Sequence, residues 1–226
     1  MSSIEIEPDK LVEKFSDMEH IVSAVSARMD EPGLEGKEVL TTIIPADKMP
    51  EAIKGLKGRL HFNEDLPEEH YSRVNALHFK WPKENAFSIL LKSRALDLVI
   101  PTYFHELCHI ANYELCEDLL SRPKMLLAEA LSVSFRNWAM DEFNQISPLQ
   151  YQDRLIALLI EKERQYDPEN ISKKTDLRRA VYDVLLWRYN MGGSSKDIYH
   201  WFKAAISDKD RLERLSNYVE KHFLAK

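Results

Sequence analysis

The chain has 226 residues, enough to bury one good core with a small subdomain. Charged residues at 30% and hydrophobic residues at 44% are ordinary for a globular protein, and a net charge of −6 argues against nucleic-acid or anionic-membrane partners. There is no run of about 18 apolar residues, and Met1 to Lys10 has neither the basic start nor the apolar centre of a signal peptide, so a cytoplasmic protein without a membrane span is expected. Residues 8–29 place Leu11, Val12, Phe15, Met18, Ile21, Val22 and Val25 at helical spacing, which predicts a helix that Gly33 and Gly36 close off. Val39 to Ile44 is β-branched and predicts a strand. Leu60 to Phe62, Val74 to Trp81 and Phe87 to Leu91 are further strand candidates, with Pro82 and Asn85 marking a turn. A small N-terminal sheet follows from these segments.

Pro101 suits the first turn of a helix, where its missing N–H costs nothing. From Thr102 to Leu120 the residues Tyr103, Phe104, Leu107, Cys108, Ile110, Ala111, Leu115, Leu119 and Leu120 describe a helix buried over much of its circumference. Inside it, His105-Glu106-Leu107-Cys108-His109 reads H-E-x-x-H. Positions i and i+4 share a helix face, so both imidazoles can reach one metal ion, and Glu106 on the neighbouring side can hold a water as general base. The competing reading is a solvated helix that carries these three residues by chance. Cys108 and Cys116 are separated on the same helix by about 12 Å of rise, whereas a disulfide needs Cα atoms within roughly 7 Å, so reduced thiols are expected.

A catalytic zinc takes three protein ligands and leaves one position for water. Glu114, Glu117 and Asp118 sit roughly 7 to 14 Å along the helix from His109, too far to serve. The next segment, Lys124 to Arg136, predicts a second helix opened by Pro123, and Glu129 is the ionisable residue between its ends. A carboxylate in so apolar a run must be paired, protonated or metal-bound. A short turn between the helices forms a hairpin in which Glu129 can face His105 and His109. A salt bridge to Arg136, on the same face of that helix, is the competing reading.

His105-Glu106-x-x-His109 followed by Glu129 resembles the gluzincin, thermolysin-like zincin metallopeptidases, and Glu129-Ala130-Leu131-Ser132-x-x-Phe135 is similar to the run around that family's third ligand. The resemblance covers about residues 86 to 140. It implies a zincin-like α+β fold, one Zn2+ per chain held by His105, His109 and Glu129, Glu106 as general base, and a peptide or protein substrate. The family commonly places Asp four positions after the third ligand and Asn just before it, where this chain has Val133 and Ala128. The ImmA/IrrE-type peptidases and the hydroxylases that modify elongation factor P share parts of the signature. The second group uses iron for oxidation, so a non-haem iron hydroxylase on the same residues is one alternative. A catalytically inactive zincin-fold binding or regulatory protein is the other, to which Val133 gives weight.

After residue 145 the chain reads as all-helical, over 147–165, 173–190, 195–206 and 208–224, with Asp167-Pro168 and Gly192-Gly193 as breaks. The predicted organisation is a metal-binding catalytic domain over residues 1–145 and a helical C-terminal subdomain over 146–226. Acyl-transfer chemistry wants a donor for the developing oxyanion beyond the metal. Tyr182, Tyr199, His200 and His222 could face a cleft, and Tyr199 and His200 are the candidate donors; packing is the competing role. An extended substrate is expected to pair with an exposed edge of the Phe87 to Leu91 strand.

Overall fold

Three strands, β1 (Glu38–Ile44), β2 (Ala76–Lys80) and β3 (Ala86–Lys92), form a sheet in the order β1-β3-β2. β1 runs parallel to β3, and β2 pairs with it antiparallel with His78 opposite Ile89. The computed structural model describes residues 7, 9–56, 71–72, 74–81, 85–117, 119–146 and 177–224. β3 is central, and its apolar run from Phe87 to Leu91 is buried throughout, as in a strand covered on both faces. One face is covered by α2 (Met49–Leu56), whose Met49 and Ile53 pack with Tyr71, Leu77, Phe79 and Leu90. The long α3 (Leu96–Ala111) lies against β2 and β3. Side chains alternate along a strand, so sending Leu77 and Phe79 towards α2 sends His78 towards α3.

Two helices differ in extent from the sequence expectation. α1 runs from Glu19 to Met29 and does not begin at residue 8. The Asp17 carboxylate accepts the backbone N–H groups of Glu13 and Lys14 at 3.0 and 3.1 Å, which closes a local turn instead of a helix. Ahead of that turn, Leu11 bridges Ala95, the Val12 N–H donates to the Arg94 carbonyl, and the Leu96 N–H donates to the Lys10 carbonyl at 2.9 Å. α3 starts at Leu96, so Pro101 sits inside it and leaves the Asp97 carbonyl without the usual N–H. The helix stops at Ala111, and α4 (Tyr113–Cys116) is a separate short turn.

The stop has a visible cause. Lys37 Nζ donates to the Ile110 carbonyl at 2.8 Å, placing a cation at the negative end of the helix dipole. Gly33 lies so close that a Cβ there would run into the Ala111 carbonyl oxygen. Gly33→Ala is therefore expected to cost about 1–3 kcal/mol, since a backbone carbonyl cannot move aside as a side chain can. Urea unfolding of the metal-free protein measures it, and an unchanged midpoint would contradict the close approach.

The chain divides into two compact units, Met1–Ala111 and Asn112–Lys226. The second is helical among its described residues: α4, α5 (Arg122–Ile146), α6 (Leu177–Arg188), α7 (Ser195–Ser207) and α8 (Lys209–Val219), followed by a π turn over Glu220–Leu224. α5 packs against α6, α7 and α8 and buries Leu127, Ala130, Leu131, Phe135, Ala139 and Phe143. This packing explains why the boundary falls after Ala111 and not after residue 145: the helix carrying Glu129 belongs with the C-terminal helices. The Leu60 to Phe62 strand and the 147–165 helix of the sequence reading lie outside the described residues. The architecture is thus mixed α and β, a small three-stranded sheet with mostly helix. Among the described residues no helix is long and apolar enough to cross a membrane.

Candidate metal centre

α3 carries the H-E-x-x-H residues in its last two turns. The His105 and His109 rings stand on one face with centroids 5.1 Å apart, tilted edge to face at 76°. Ile100, Phe104, Leu107 and Cys108 are buried around the rest of the helix, which fixes its rotation and leaves the two histidines part-exposed. Both imidazoles can therefore turn a nitrogen towards a common point.

Glu106 has a partner that the sequence did not announce. His78, from β2, places Nδ1 at 2.7 Å from Glu106 Oε2. The same ring stacks on His109, with centroids 4.7 Å apart and planes within 15°. Burial alone would raise the Glu106 carboxyl, but the hydrogen bond and charge of His78, with the charges of His105 and His109, outweigh it and hold the group down to about 2. A carboxyl depressed by the fold supplies stability that is complete above the ordinary carboxylate range and is lost only as pH falls towards that low value. Glu106 is accordingly expected to stay ionised in mildly acidic solution, which the pH dependence of its carboxyl carbon resonance would report. Titration at an ordinary glutamate value would refute it.

Glu129 is half-buried on α5 in the second unit, flanked by the buried Leu127, Ala128, Ala130 and Leu131. Its charge reaches Cys116: the thiol is pushed up to about 11, first by burial and then by the Glu129 carboxylate. Among the described residues, His105, His109 and Glu129 are the group of three His, Cys, Asp or Glu side chains that could hold a metal ion. Two imidazole nitrogens and a carboxylate oxygen form the donor chemistry of a hydrolytic zinc site, so these residues fit the ion that the sequence suggested.

The proposed oxyanion donors have other surroundings. Tyr199 is fully buried in the second unit against Phe135 and Trp138, and its hydroxyl accepts from Asn112 Nδ2 at 3.1 Å. That is the packing role set against the catalytic one in the sequence reading. Tyr199→Phe is expected to lower stability by about 1 kcal/mol, by depriving a buried amide of a partner, and to leave any turnover unchanged. A large loss of turnover at unchanged stability would restore the catalytic role. His200 is exposed, with its ring beside Trp138 at 5.7 Å. Tyr182 is buried and accepts from Asn137 at 3.3 Å.

The substrate edge also needs correction. β3 is paired on both sides, so it has no edge to offer; among the described residues β1 and β2 are the outer strands. Comparison of the chain with protein-family models, curated proteins and solved structures gives no match.

Proposed function

We propose that this chain is a zinc-dependent metallopeptidase, cytoplasmic, that hydrolyses peptide bonds in a peptide or protein substrate. The observation that carries the reading is the arrangement on α3: two histidines on one face, with the intervening glutamate kept ionised by His78. His105, His109 and Glu129 would hold the zinc. Bound there, the ion would supply Lewis acidity, polarising the scissile carbonyl and making water a nucleophile near neutral pH.

Glu106 takes the proton of the attacking water and passes it to the leaving nitrogen. An anionic carboxylate is ready to accept that proton without a prior ionisation step, and this is what the His78 contact secures. An extended substrate would pair with β2, the outer strand that carries His78, in place of the buried β3. The test is metal analysis of protein purified without added metal, joined to digestion of a peptide pool with chelator and with zinc restored. Zinc in the protein and chelator-sensitive cleavage are expected. Iron with oxygen-dependent turnover would replace this reading with the hydroxylase, and bound zinc with no cleavage would replace it with a binding protein.

A further inference from the structure

A carboxylate one residue from a metal-binding histidine has a choice of roles. It can act on a water beside the ion, or it can swing in and become a ligand. The second outcome fills the position that water needs and ends hydrolysis. Something must hold it to the first role, and the backbone of α3 alone cannot, because a glutamate side chain has three rotatable bonds.

We infer that His78 is the positioning residue that keeps Glu106 a base and prevents it from becoming a metal ligand. The contact is short, 2.7 Å, and its direction is fixed by chemistry: an ionised carboxylate only accepts, so His78 Nδ1 carries the hydrogen and donates. The donor is itself held at two points. Its backbone is paired to the central strand opposite Ile89, and its ring is stacked on His109 at 4.7 Å. One side chain from the sheet thus fixes both the carboxylate and the plane of an adjacent imidazole. This role rests on the metal reading above, and its tests are arranged so that the two fail separately.

Two variants divide the functions of His78. His78→Phe keeps a ring to stack on His109 and removes the donor; His78→Asn keeps an N–H near the position of Nδ1. Zinc affinity of the full chain, measured by competition with a chromophoric chelator, is the first readout. In His78→Phe the released Glu106 joins the ion, so zinc should bind more tightly, by about tenfold, opposite in sign to the loss of affinity that removing a partner around a metal site usually causes. The gain should vanish in His78→Phe/Glu106→Gln and be absent in His78→Asn. An affinity that is unchanged, or shifted alike with and without Glu106, overturns the inference. The second readout needs no metal. In the histidine ring nitrogen spectrum of the metal-free protein, the neutral His78 ring should carry its hydrogen on Nδ1, and Glu106→Ala should move it to Nε2. If the wild type binds no zinc, the proposed function is lost and this spectrum alone decides the positioning role; an Nδ1–H signal that survives Glu106→Ala overturns it.

Discussion

The Glu106→Gln protein is expected to fold, bind zinc and bind substrate as the wild type does, while turnover falls by a factor on the order of 10² to 10⁴. Glutamine keeps the shape of the side chain and can still accept the His78 hydrogen bond through its amide oxygen. What it loses is the capacity to take a proton. Single-turnover rates on a cleaved peptide, alongside zinc content and a circular dichroism spectrum, separate these effects. Loss of zinc in this variant would make Glu106 a ligand, and full activity would mean that water activation by this carboxylate is not the chemistry.

Replacing His105, His109 or Glu129 by Ala is expected to take zinc occupancy from one ion per chain to near none at micromolar metal. A thermal readout follows from linkage. A ligand that binds only the folded state stabilises it by about 2.7 kcal/mol when present at a hundred times its dissociation constant. The wild type should therefore melt higher with zinc than without, and the three variants should not respond. Glu129→Ala is the most informative, because Glu129 lies outside the H-E-x-x-H motif, on α5. Retention of full occupancy and affinity in that variant would remove Glu129 from the ligand set.

The legible part of the site was the part written along one helix. His105, Glu106 and His109 follow from a period of 3.6 residues and need no knowledge of the rest of the chain. His78 could not be reached that way. Its alternation with Leu77 and Phe79 says which face of a strand it takes, but nothing local says that α3 covers that face with Glu106 at the matching height. The strands were similarly legible one by one and not in order: β3 lies between β1 and β2 although it follows both in the chain. Helix ends suffered most, because they are set by contacts distant in sequence. Asp17 cuts α1 short locally, whereas α3 ends where Lys37 reaches Ile110 across 73 positions. Tyr199 was ambiguous for a different reason: a tyrosine at helical spacing reads the same whether its hydroxyl meets a substrate or Asn112.

The two ends of α3 are both fastened by the same early stretch of chain. Lys10 takes the N–H of Leu96 at the start, and Lys37 caps Ile110 at the finish. A tether of this kind makes the helix's resistance to opening depend on residues far from it in sequence. Residues 10–37 and α3 should then open as one cooperative unit, with amide hydrogens in both exchanging at a common free energy. A nick by a protease near Gly33 to Lys37 would release the end of the helix nearer His109 first. Damage to a segment outside the H-E-x-x-H motif would in this way reach His105 and His109 through the helix that carries them.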